Sequence, residues 1–165
     1  MKRYLFITLL LAVATFKCFA QEEGRLSLGV DAGLPVGTSA NNFAFVIGGS
    51  LKVENPIGEA NLLTISIGYF SLSAKSTVVG TSINPPVTIY TPLKIGIKHK
   101  LTGQLFVEAQ TGAAFEARGR RTTRFVYAPG LVCNINKFDL GVRYEGWLGS
   151  GGTISQVAMR LGFRL

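Results

Sequence analysis

From residue 25 onward the chain alternates apolar and polar positions with a period of two, in runs separated by turn residues. The clearest run is Ile89 to Phe115, IYTPLKIGIKHKLTGQLFVEAQTGAAF. One phase of it holds Ile89, Leu93, Ile95, Ile97, Leu105, Val107, Ala109, Ala113 and Phe115. The other holds Tyr90, Lys94, Gly96, Lys98, Phe106, Glu108, Gln110, Gly112 and Ala114. This pattern predicts two strands with unlike faces, joined by a tight turn at Leu101-Thr102-Gly103. The same period predicts strands at Arg25 to Leu34, Phe43 to Val53 and Leu62 to Leu72 before the pair. It predicts Arg124 to Ile135, Phe138 to Trp147 and Ile154 to Leu165 after it. Glu54-Asn55-Pro56-Ile57-Gly58 and Asn136-Lys137 carry turn chemistry. Pro35 to Asn42, Ser73 to Pro86, Glu116 to Thr123 and Gly149 to Thr153 read as loops. No helix-period segment appears after residue 20.

Eight strands with alternating tight turns and longer loops predict an all-β, antiparallel, up-and-down barrel. Two arrangements share this alternation. A soluble, lipocalin-like barrel turns its apolar phase inward around a ligand, and a transmembrane barrel turns it outward to lipid. Two features favour the second. The polar phase carries a glycine in every strand: Gly29, Gly48, Gly68, Gly96, Gly112, Gly130, Gly141 and Gly162. Glycine weakens a strand, and only a crowded interior gives something back, namely room for long side chains opposite. The same phase also holds Asp31, Glu108 and Glu145 against Lys94, Lys98, Arg143, Arg160 and Arg164. These eight residues form a candidate lumen network that satisfies its own charges. On the apolar phase, Tyr69, Phe115, Phe125 and Tyr127 fall toward one end of their strands, and Phe138 and Phe163 toward the other. Aromatic belts at two lipid–water boundaries have this layout. Pro92 and Pro129 each remove a ladder donor, so a bulge or an early end to pairing is expected at each.

The first twenty residues read differently. Lys2 and Arg3 precede an apolar stretch, Leu5 to Phe16, and Cys18-Phe19-Ala20 offers a signal-peptidase site. Residues 1–20 are therefore expected to be a signal peptide, and 21–165 one barrel domain. The apolar stretch is shorter than the roughly 20 residues of a membrane helix. The formal net charge is +8. Without Lys2, Arg3 and Lys17, the 17 basic residues fall to 14 against 9 acidic ones, a net of +5. That mild excess does not point to nucleic acid. Cys133 then stands alone on an apolar phase, with no internal disulfide available.

Several segments carry a family resemblance. They are Thr91-Pro92-Leu93-Lys94 leading into Leu105-Phe106-Val107-Glu108-Ala109, and Ala128-Pro129-Gly130-Leu131. Phe138 to Glu145, FDLGVRYE, and the closing Arg160 to Leu165, RLGFRL, also match. In these the chain resembles the small, porin-like, eight-stranded outer-membrane β-barrel domain family of Gram-negative bacteria. The resemblance covers residues 21–165. It implies export through the periplasm, insertion by the barrel-assembly machinery, and contact with outer-membrane lipid and lipopolysaccharide.

The expected role is structural or surface-interacting, through loops outside the membrane. An eight-stranded barrel is just wide enough for its own side chains, so no general diffusion pore is expected. Arg118, Arg120, Arg121 and Arg124 form a basic cluster that suits phosphate or carboxylate groups; the alternative is a solvated loop. An outer-membrane lipid-modifying enzyme needs a histidine with a nearby serine. The single histidine, His99, stands between Lys98 and Lys100 with no serine on its strand. Gly149-Ser150-Gly151-Gly152 lacks the Lys-Ser/Thr end of a phosphate loop. Neither a catalytic residue nor a cofactor or metal site is expected.

Overall fold

The computed structural model describes residues 24–75, 87–117 and 122–165. The proposed signal peptide lies outside them. The strands are β1 (Arg25–Pro35), β2 (Phe43–Pro56), β3 (Asn61–Ala74), β4 (Val87–Thr102), β5 (Leu105–Glu116), β6 (Thr123–Ile135), β7 (Phe138–Gly149) and β8 (Gly152–Arg164). One short helical turn, α1 (Ser39–Asn42), interrupts the β1–β2 connection, which the sequence pattern reads as plain loop. Each strand pairs antiparallel with its neighbours, and β8 returns to β1, closing the barrel. At the seam Val30 faces Gly49 on one side and Leu161 on the other. Closure matters because hydrocarbon offers no hydrogen bonds, so a spanning sheet can leave no edge.

The two phases separate cleanly across the wall. Val30 is 62% exposed while its neighbour Asp31 is 1% exposed. The exposed face carries Leu28, Leu34, Ile47, Ile67, Leu93, Ile95, Met159 and Leu161. The buried face carries Lys52, Glu54, Lys94, Lys98, Glu108, Glu145 and Arg160. This is the reverse of a soluble barrel, in which charge meets water and apolar groups are hidden. The lipocalin-like reading fails on this point.

Aromatic side chains mark both ends of the exposed face. Tyr69, Phe115 and Phe125 lie toward the loop end. Tyr127 and Tyr144 pack there with ring centroids 6.1 Å apart. Phe138 and Phe163, 5.5 Å apart, lie toward the turn end, where Lys137 sits over the Phe163 ring.

The structure corrects four local readings. The β4–β5 turn is Gly103-Gln104, not Leu101 to Gly103; both strands run further, with a register irregularity between Lys100 and Thr102. Gly103 takes a left-handed φ of 46°, which glycine adopts freely. The Gly149–Thr153 segment is not an open loop, because Gly149 pairs with Gly152 across a tight turn. At Pro92 and Pro129 there is neither a bulge nor an early end to the ladder; pairing lapses on one side only and then resumes. Pro92 stays paired with Ala114 on β5, and on the β3 side the ladder skips between Leu93 and Tyr90 and resumes in the same register. Pro129 behaves alike, paired with Ala109 on β5 while the β7 ladder skips between Gly130 and Tyr127. Each proline lacks one N–H, and the ordered strands on both sides of the gap hold the register.

If the exposed face meets lipid, a charge at mid-span must be costly there. Ile95, half exposed near the middle of β4, is the test position. Ile95→Arg should lower unfolding free energy in lipid vesicles by about 2–4 kcal/mol, read by denaturant titration. A change within about 0.5 kcal/mol, as for a water-exposed surface position, would contradict the assignment.

Candidate functional site

The inward-facing polar residues meet in the middle of the barrel, because the strand period places every second side chain into one narrow space. Glu145 is the hub of the upper group. It accepts Lys94 Nζ at 3.0 Å, Arg143 Nε at 2.9 Å and Trp147 Nε1 at 3.1 Å. Arg143 also reaches across to Asp31, with Nη2 to Oδ1 at 2.8 Å. Ser50 Oγ donates to Asp31 at 2.5 Å and accepts from Arg160 Nε at 3.0 Å, linking Arg160 to the group. Arg160 Nη2 donates to Ser27 Oγ at 3.1 Å.

A second group lies toward the turn end. Lys52 Nζ stands 3.0 Å from Glu54 and 3.2 Å from Glu108. Lys98 Nζ donates to Glu54 at 3.0 Å and to Asn134 Oδ1 at 3.0 Å. Gln110 Nε2 bridges Thr64 Oγ1 at 3.3 Å and Glu108 at 3.2 Å. Arg164 Nε lies 3.2 Å from Asp139 Oδ1, within ion-pair reach but not aligned as a hydrogen bond.

Apolar side chains on the same inward phase gather toward both ends. Toward the loops Val46, Phe70, Leu72, Tyr90, Ala114, Val126, Trp147 and Ile154 form one buried cluster. Trp147 stands edge-on to Phe70 at 6.3 Å and to Tyr90 at 5.1 Å. Toward the turns Leu62, Phe106 and Val132 form a smaller one. Lys98 Nζ sits 4.8 Å from the Phe106 ring, where that cluster meets the charges. Glycine makes the packing possible. A Cβ at Gly48 or Gly68 would collide with the Phe70 ring, and one at Gly29 or Gly162 with the Arg160 guanidinium.

All eight sequence-predicted lumen residues face this interior. Asp31, Lys94, Arg143, Glu145 and Arg160 share the upper group. Lys98 and Glu108 join the lower one, and Arg164 sits near its mouth. Sequence reasoning omitted Lys52, Glu54 and Asp139. Their signal was present: Lys52 and Asp139 stand on the glycine-bearing phase of their strands. Glu54 was assigned to a turn, whereas β2 runs on to Pro56. The buried apolar clusters were missed altogether, because inward was equated with polar.

The arginine cluster is only partly on view. Arg118, Arg120 and Arg121 lie outside the described residues. Arg124 stands at the loop-end rim. Its Nε donates to the Tyr90 hydroxyl at 3.1 Å and its Nη1 to the Gly152 carbonyl at 2.6 Å. It therefore packs against the β7–β8 hairpin tip. His99 is exposed near the turn end, with Nδ1 2.8 Å from Asn61 Oδ1. Among the described residues no group of three His, Cys, Asp or Glu side chains is placed to hold a metal.

With this geometry in hand, comparison with solved structures is decisive for the fold. The chain is similar to the outer-membrane protein Ail of Yersinia pestis in a phospholipid bilayer nanodisc. The TM-score is 0.62 and the identity 15%, over 87% of this chain and all of that one. A crystal structure of Ail gives 0.60 at 13% identity, over 86% of this chain and 97% of that one. The N-terminal β-barrel domain of Pseudomonas aeruginosa OprF gives 0.58 at 15%, over 87% and 100%. The fold is an eight-stranded transmembrane β-barrel of the outer-membrane type. No protein-family model and no curated protein matches the sequence. The likeness therefore rests on backbone path, while the interior pairs are read from this chain's own residues.

Removing the hub exposes how much the barrel depends on it. Glu145→Gln leaves Lys94 and Arg143 facing each other without their shared carboxylate. The expected loss is about 3–5 kcal/mol of stability, read by urea unfolding in detergent. Lys94→Leu combined with Glu145→Leu should recover part of that loss. Equal costs for the single and double variants would deny the coupling.

Proposed function

We propose that this chain is an outer-membrane protein of a Gram-negative bacterium that presents a loop-end surface and conducts no solutes. The observation that carries the reading is the filled lumen. Paired charges occupy its middle, and the cavities among them measure about 10 and 20 Å³. Buried apolar clusters lie toward both ends. A solute path would need the ion pairs broken and Trp147 moved, which an eight-stranded wall gives no room for. The exposed apolar face supports the location, since an exported protein with such a girdle needs lipid around it. Delivery by the barrel-assembly machinery belongs to the same reading.

What remains for function is the surface at the loop end. Arg124 belongs to it, and Arg118, Arg120 and Arg121 belong to the same connection in sequence. Guanidinium groups take phosphate, sulfate or carboxylate bidentately, and lipopolysaccharide phosphates lie at the height of such a rim. One neighbour in fold lends a parallel. Ail is named for attachment and invasion, and one of its structures is a complex with the heparin analogue sucrose octasulfate. The partner proposed for this chain is accordingly an anionic glycan or lipid headgroup, with lipopolysaccharide as the nearest source.

Substituting glutamine at Arg118, Arg120, Arg121 and Arg124 together should weaken lipopolysaccharide binding at least tenfold, measured on folded protein. Unchanged binding makes the cluster a solvated loop. In planar lipid bilayers the protein should show no steady current, and a stable open conductance would refute the filled lumen. An enzymatic role is tested at its one candidate residue: His99→Gln should leave lipid A composition unchanged.

A further inference from the structure

Among the described residues, six buried side-chain polar atoms lack a hydrogen-bond partner. Gln156 Oε1 and Arg164 Nε are two of them; the other four, Arg160 Nη1, both carboxylate oxygens of Asp139 and Ser66 Oγ, belong to residues that line two adjoining cavities. Asp139 and Arg160 line one cavity of about 10 Å³, together with Lys52 and Glu108. Ser66 and Arg160 line the other, of about 20 Å³, with Asp31 and Gln110. Arg160 is 6% exposed and has no carboxylate within ion-pair distance; its Nε and Nη2 are taken by serine hydroxyls. A buried guanidinium with a spare N–H is costly, and so is a buried carboxylate that Arg164 reaches as an ion pair but to which no group donates a hydrogen bond.

We infer that the lumen holds two ordered waters, one between Asp139 and Arg160 Nη1 and one at Ser66 Oγ. The donor and acceptor roles select the ligand. The first site must accept from a guanidinium and donate to a carboxylate at once. A small anion would meet Asp139 and Glu108, and a small cation would meet Arg160, Lys52 and Arg143, the last already paired with Asp31 and Glu145. Water alone satisfies both sides. The sizes agree, since a water needs roughly 10–15 Å³ of accessible volume and two to four polar partners. The second site offers the Ser66 hydroxyl beside Arg160 and Gln110. Lys52, Glu108, Arg143 and Arg160 line both cavities, so the two waters join the upper and lower charge groups into one network. The apolar clusters lie beyond them toward either end of the barrel.

The test is diffraction from crystals of the detergent-folded barrel, soaked in sodium bromide, at a resolution that shows waters. The inference expects one water within hydrogen-bond distance of Asp139 and Arg160 Nη1, another at Ser66 Oγ, and no bromide signal at either. Three results would overturn it: a bromide peak beside Arg160, a direct Asp139–Arg160 ion pair with nothing between, or cavities without density. Ser66→Ala should remove the second water and leave the first. If both persist at full occupancy, Ser66 is not what holds the second water.

Discussion

The structure depends on one constraint: a sheet whose outer face is apolar from rim to rim must close on itself. An open edge in hydrocarbon would expose unpaired backbone groups on both edge strands. Eight strands close to a cylinder with space for side chains and little else. Everything that points inward must therefore fit and be paired. This explains glycines opposite Phe70 and Arg160, where a Cβ would collide. It also explains why the buried lysines Lys52, Lys94 and Lys98 all have carboxylate partners.

Burying charges does not by itself stabilise a protein, because desolvation offsets much of the attraction. The interior answers this by sharing. Glu145 serves two cations and an indole N–H, Asp31 serves Arg143 and Ser50, and Glu54 serves two lysines. Each carboxylate thus accepts from several donors at one desolvated site. Apolar clusters flank the network toward both ends of the barrel, so the charges lie mostly out of bulk solvent. The same packing leaves only cavities of about 10 and 20 Å³ among the paired charges.

Much of this was legible in the alternation of residues. Ser27, Gly29 and Asp31 against Leu28, Val30 and Ala32 suffice to give a strand with two faces, and glycines recurring with charges tell which face is crowded. Other features were not legible. Trp147, Phe70, Tyr90, Leu72 and Val126 stand on the inward phase, yet the pattern marks that phase as polar. A side chain's height along the barrel comes from strand stagger, which needs the register. Lys52 and Glu108 meet from β2 and β5, strands that are not neighbours, so period and spacing along one strand are silent on the pair. The prolines show the limit of local rules: each removes its own ladder bond, but neighbouring pairs on both sides keep the register.

The central claim is that the apolar phase faces lipid and the charged phase faces inward. It is tested most directly by running boiled and unboiled samples of the outer-membrane fraction of expressing cells on one gel. The account predicts a band in that fraction that migrates differently before and after boiling, because the closed barrel stays folded in detergent until heated. A protein found free in the periplasm, with one mobility regardless of heating, would contradict it.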